Sequence, residues 1–284
     1  MNIINGLNEI IDNYEGLIID LWGVIHDGAN LYPPVLEAIS KLQNKKIIFL
    51  SNGPFRAKRA AENLERLKIF KEHYKAIITS GEVVFTDLSS YNKFNFGNFG
   101  NNYIYIGPDR NIDLLNGLNY QIVKDFSLAN FVLLTGFYND DYDVLNAKKY
   151  LGEAIKYKLP LICANPDKLV VTQTGDKFLC AGIIAREYQN MGGEVIYYGK
   201  PYNQVYQTVF DLMNIAKDKL LAIGDSLETD IKGANLASID SLLIASGIHG
   251  SEILDNGEID QNLLKKLGDS KQAVPTYVSK FFSW

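Results

Sequence analysis

Short apolar runs recur along the chain: GLIID at 16–20, KIIFL at 46–50, YIYIG at 103–107, FVLLTG at 131–136, LPLICAN at 159–165, EVIYYG at 194–199, LLAIGD at 220–225 and SLLIASG at 241–247. Helical periodicity fills several of the gaps. In RAKRAAENLERL (56–67), Ala57, Ala60, Ala61, Leu64 and Leu67 share one face; in DYDVLNAKKYLGEAIKY (141–157), Val144, Ala147, Leu151, Ala154 and Ile155 do the same. A third helix is expected over PYNQVYQTVFDLM (201–213), with Pro201 in its first turn and Tyr202, Val205, Val209, Leu212 and Met213 buried. Strands alternating with helices predict βα units and parallel sheet. The Asn/Gly/aromatic stretch 90–102 reads as a loop.

Composition narrows the class. A chain of 284 residues exceeds one ordinary domain and falls short of three, so two domains or one domain with an insertion are expected. With 28 Lys and Arg against 33 Asp and Glu, no global positive field draws the chain to nucleic acid or anionic lipid, and an anionic substrate needs a local site. Cys163 and Cys180 are too few for a disulfide framework and lack zinc-site spacing. The opening MNIINGLNEIIDNYEG has neither a basic n-region nor an apolar h-region, and no run reaches the roughly 18 residues of a membrane span. A cytoplasmic setting with no membrane partner is the expectation.

In open parallel sheets ligands gather at the carboxyl ends of strands. Asp20 closes the first run; Ser51-Asn52-Gly53-Pro54 follows the second; Lys200-Pro201 follows 194–199; Asp225 closes 220–225, with Asp230 one turn on. Each alone has a plain explanation as turn former, helix cap or solvated side chain. Together they are far less expected by chance. Carboxylates suit a hard cation such as Mg²⁺, which takes few protein ligands plus a substrate phosphate. Lysine, serine hydroxyl and backbone N–H groups suit phosphoryl oxygens. The set is one for phosphoryl transfer. By contrast GGEVIYYGKP lacks the spacing and the Ser/Thr of a P-loop, and NDDYD (139–143) lacks the Gly and distal Glu of a calcium loop.

Asp20-Leu-Trp-Gly-Val, Ser51-Asn52, Gly199-Lys200-Pro201 and Gly224-Asp225-Ser-Leu-Glu-Thr-Asp230 resemble, in order, the four motifs of the haloacid-dehalogenase superfamily. ITSGEVVFTDL (78–88), YIYIGP (103–108), CANPD (163–167) and FLCAGIIA (178–185) are similar to segments of its class IIA branch of sugar-phosphate and nucleotide phosphatases. The resemblance implies a doubly wound α/β core, residues 1–79 and 186–284, with a smaller α/β cap inserted over 80–185. It implies an aspartyl-phosphate on Asp20, Mg²⁺ held by Asp20, the Trp22 carbonyl and Asp225 with Asp230 in support, and phosphate bound by Ser51, Asn52, Gly53 and Lys200. The substrate would be a small phosphorylated metabolite. Cap loops set specificity in this class, which points to the stretch 165–178 with Asn165 and Asp167; cap-to-cap homodimers occur there too.

One position departs from the pattern. Phosphatases of the superfamily usually carry a second Asp two residues beyond the nucleophile, as acid and then base; here Trp22 stands there. Its carbonyl can still bind a cation, but an indole N–H is no proton shuttle. General acid–base help contributes about 10²–10⁴ in rate, so slow turnover of alkyl phosphates is expected. His26 is a candidate replacement. Two further readings stay open: a silent metal- and phosphate-binding sensor or scaffold, which Trp22 favours, and a dehalogenase, which the acidic fourth motif disfavours.

Overall fold

The computed structural model describes residues 1–90, 100–138 and 142–284, so most of the 90–102 loop and the first part of 139–143 lie outside the described residues. The strands run in chain order β1 (Asn2–Ile3), β2 (Gly16–Ile19), β3 (Lys46–Ser51), β4 (Ala76–Thr79), β5 (Asn102–Ile106), β6 (Gln121–Ile122), β7 (Phe131–Leu134), β8 (Leu161–Cys163), β9 (Leu169–Val171) and β10 (Lys177–Leu179). They continue with β11 (Val195–Tyr197), β12 (Leu220–Gly224), β13 (Asp240–Ile244), β14 (Leu254–Asp255), β15 (Glu258–Ile259) and β16 (Tyr277–Ser279). The helices are α1 (Val35–Lys41), α2 (Ala57–Arg66), α3 (Ser80–Ser89), α4 (Val144–Lys156), α5 (Ala181–Asn190), α6 (Asn203–Met213), α7 (Lys232–Ala237), α8 (Gly250–Ile253) and α9 (Gln261–Lys271).

Seven strands form a parallel sheet in the order β1-β16-β13-β12-β2-β3-β4, and five form a second parallel sheet, β11-β8-β7-β5-β6. The continuous apolar runs follow from helices covering both faces. Side chains alternate between those faces. Leu17, Ile19, Ile47, Phe49, Leu221 and Ile223 pack on one side with Val35, Ile39 and Leu64. Ile18, Ile48, Leu50, Leu220 and Ala222 pack on the other with Val84, Val209 and Ala234.

That second cluster also takes Tyr103, Tyr105, Phe131, Leu133, Ile162 and Ile196 from the smaller sheet, so the two sheets share apolar packing. The outer face of the smaller sheet is closed by Leu151 and Ala154 of α4 and Ile184 and Tyr188 of α5. The doubly wound α/β core with a smaller inserted α/β unit is therefore present. The smaller sheet also reaches past residue 185: a return to the core at 186 would cut α5, and β11 pairs with β8.

The three expected helices form at 57–66, 144–156 and 203–213. Pro201 sits outside α6, because Tyr202 is still extended and caps the helix at φ −77°, ψ 143°. Leu212 is exposed and Tyr206 buried, which rotates the expected buried stripe. Among the described residues no helix is long and apolar enough to cross a membrane.

Candidate active site

β12, β2 and β3 are neighbours, and their register pairs Ile223 with Ile19 and Ile19 with Phe49. Strands about 4.8 Å apart therefore deliver Asp225, Asp20 and Ser51 to one edge of the sheet. The chain winds outward from β2 through β3 and β4 and, later, from β12 through β13 and β16, so this edge is the switch point of the topology.

Lys200 arrives from the other unit, three residues beyond β11. Its Nζ lies 2.5 Å from Asp20 Oδ1 and 2.7 Å from Asp230 Oδ1, and donates to the Leu50 carbonyl at 2.8 Å. Asn52 braces it: the Lys200 N–H donates to Asn52 Oδ1 at 2.7 Å, and Asn52 Nδ2 donates to the Lys200 carbonyl at 3.1 Å. The same amide donates to Asp167 Oδ1 at 2.8 Å, tying the smaller unit to the core. Ser51 is buried, and its Oγ accepts the Gly53 N–H at 3.1 Å.

Asp230 sits in a wide helical turn, Leu227–Ile231, opened by Ser226, whose Oγ accepts the Thr229 N–H. The Ser226 N–H donates to Asp230 Oδ2 at 3.1 Å, turning that carboxylate back toward Lys200. Asp225 accepts the Ile248 N–H at 2.8 Å. Next to it, His249 Nε2 accepts the Leu227 N–H at 3.1 Å and Nδ1 meets Glu252 at 2.8 Å. His249 is buried under the Asp225 loop, a contact no local spacing discloses. Gly23 is required beside Asp225: its φ is +84°, and a Cβ there would lie 2.0 Å from Asp225 Oδ2.

Asp20, Asp225 and Asp230 are all buried, and one oxygen of each lies within 4.8 Å of the others. Three carboxylates face one ammonium. Burial, only partly offset by Lys200 and reinforced by Asp230 and Asp167, pushes the Asp20 carboxyl up to about 7. Burial together with Asp20 and Asp230 holds Asp225 well above the usual range. Burial opposes the charge on Lys200, but Asp20, Asp230 and Asp167 outweigh it and raise its pKa. Asp167 is pushed up to about 6, again by burial first. The surplus negative charge, presented by hard oxygen donors, fits a divalent cation.

The remaining residues singled out in the sequence lie around this cluster. Asn165 Oδ1 accepts the Asp167 N–H at 3.0 Å. The Trp22 indole Nε1–H donates to the Val171 carbonyl at 2.8 Å. His26 is buried, its Nδ1 accepts the Gly28 N–H at 2.9 Å, and burial pushes its pKa down to about 4.

A doubly wound sheet, an inserted α/β unit and a carboxylate–lysine cluster at the switch point define a two-unit α/β hydrolase. Family models agree: one described as haloacid dehalogenase-like hydrolase matches residues 17–121, and one described as HAD-hydrolase-like matches 197–270. The chain belongs to the haloacid dehalogenase-like hydrolases. It is 25% identical over 236 residues to the sugar-phosphatase AraL of Bacillus subtilis (strain 168), covering 82% of this chain and 83% of that protein. A haloacid dehalogenase-like hydrolase from Brucella suis 1330 superposes with a TM-score of 0.79 at 28% identity, covering 98% of both chains. A possible sugar phosphatase from Cytophaga hutchinsonii gives 0.81 at 19% identity over 100% and 99% of the two chains, a likeness of fold.

Proposed function

We propose that this protein is a Mg²⁺-dependent class IIA phosphatase of small phosphorylated metabolites, with residues 80–197 as its cap. The observation that carries the reading is Lys200 Nζ bridging Asp20 and Asp230 beside Asp225, a cluster of the charge and hardness that phosphoryl transfer needs. The sugar-phosphatase relative supports the substrate class.

In this reading an Asp20 oxygen attacks phosphorus and the bond to the leaving oxygen breaks, giving an aspartyl phosphate; water then attacks that phosphorus, the Asp20 carboxylate leaves, and phosphate is released. Lys200 and Ser51 hold the phosphoryl oxygens. Asn52 and Gly53 act at one remove, since the Asn52 amide is occupied by Lys200 and Asp167 and the Gly53 N–H by Ser51. Mg²⁺, held by Asp20, Asp225 and the Trp22 carbonyl with Asp230 in support, would neutralise charge building on the phosphoryl group. Without an acid at position 22 the leaving group departs unaided, so aryl esters turn over faster than alkyl esters. His26 is a turn-holding acceptor in this scheme, because its Nδ1 is already engaged and its depressed pKa keeps it neutral at pH 7.

Phosphate release from p-nitrophenyl phosphate and a panel of sugar and small-metabolite phosphates, with and without Mg²⁺, tests this. Turnover that needs Mg²⁺ and vanishes in Asp20→Asn is expected. Trp22 favours a second reading, a silent phosphate-binding protein. An inert wild type whose Trp22→Asp variant gains turnover would establish that one instead.

A further inference from the structure

The segment β9-β10 is a two-stranded antiparallel ribbon at the end of the cap stretch that begins at Asn165. Its own burial does not fix its place: Leu169–Val171 are only half-buried, and Lys177 and Phe178 are exposed. Polar contacts with the core hold it instead. The Trp22 indole N–H reaches the Val171 carbonyl at 2.8 Å, and Gln173 Nε2 reaches the Leu31 carbonyl at 3.3 Å and the Asn30 carbonyl at 3.4 Å. The indole contact is the shortest of these.

The choice of Val171 follows from the ladder. Lys168 and Thr172 bond to Cys180 and Asp176 across the ribbon, so Val171, an odd step between them, turns its carbonyl toward the free edge. Such a carbonyl needs a donor, and indole offers an N–H and no acceptor. The catalytic loop is shaped around that ring. Gly28 has φ +95°, and a Cβ there would lie 2.5 Å from the indole carbons, while His26 packs edge-on to it with centroids 6.2 Å apart.

Building on the phosphatase reading, we infer that Trp22 is a positioning residue: its N–H seats the cap ribbon Leu169–Leu179 over Asp20 and so sets how tightly the substrate's non-phosphate portion is held. The position that elsewhere moves a proton here aims the cap. Trp22→Phe keeps an aromatic ring and removes the donor; Trp22→Asp opposes a carboxylate to a carbonyl.

Hydrogen–deuterium exchange on wild type, Trp22→Phe and Trp22→Asp, without substrate, tests the contact directly. Exchange across 169–179 should rise about three- to tenfold in Trp22→Phe, the worth of one hydrogen bond, and further in Trp22→Asp, with the strands of the seven-stranded sheet unchanged. In turnover of a metabolite phosphate by Trp22→Phe, the rise in KM should exceed the fall in kcat. Unaltered exchange of the ribbon in both variants overturns the inference. Because exchange needs no catalysis, an inert wild type that shows the rise refutes the phosphatase reading and leaves the contact standing. Should the Trp22 variants fail to fold, a Trp284→Phe background leaves a single indole, whose N–H proton is followed by nuclear magnetic resonance. Slow exchange of that proton with solvent is expected while Val171 accepts it, and exchange as fast as in the urea-unfolded chain overturns the inference.

Discussion

The carboxylate cluster and the cap ribbon face each other across one cavity yet are held by opposite means. The cluster sits at the ends of three hydrogen-bonded strands, and its carboxylates and lysine are buried with few alternative positions. The ribbon contributes little to any apolar core and depends on a handful of polar contacts. Register and burial fix groups that must not move; single hydrogen bonds suit a segment that admits and releases a ligand. In the proposed function this difference separates chemistry, assigned to the core, from selection, assigned to the cap.

Substitutions in the cluster should therefore cost far more than those in the ribbon. In the proposed mechanism Asp20→Asn is expected to reduce phosphate release to background, since a neutral amide replaces the attacking carboxylate; residual turnover above that level would move the chemistry elsewhere. Lys200→Met comes next. It strands buried carboxylates, so urea denaturation at pH 7 without metal should show a loss of about 3–5 kcal/mol, partly restored by Mg²⁺.

The pH response sharpens the contrast within the core. His26 is held at about 4 when folded, against 6.5 as the ordinary value, so the unfolded chain takes its proton first as pH falls. Stability from this group is intact above about 6.5 and lost on the way down to 4, roughly 3 kcal/mol in full. His26→Gln should flatten that part of the stability–pH curve. The smallest effect concerns the cation. With Asp20 raised to about 7, protons compete with Mg²⁺, and calorimetry should find affinity about tenfold higher at pH 8 than at pH 6.

What the sequence discloses follows the same division. Ser51, Lys200 and the two strand-end aspartates announce themselves because they follow apolar runs, and parallel sheets put such positions on one edge. The ribbon gives no comparable signal: its strands are three residues each and their burial follows no clean alternation. The end of the inserted unit is equally hidden, because β11 reads like any buried strand and only pairing with β8 assigns it. His249 and the Asn52–Asp167 bond join residues 22 and 115 positions apart, beyond the reach of local pattern.

The Lys200–Asp20 pair spans 180 positions of chain, and β12, which flanks β2, is made later still. At about 5–20 residues per second, a growing chain carries Asp20 for roughly ten to forty seconds before its ammonium partner exists. Until then the main sheet lacks its central strand. The order of synthesis thus leaves Asp20 without its ammonium partner until the chain has passed residue 200, and without the neighbouring strand β12 until it has passed residue 224.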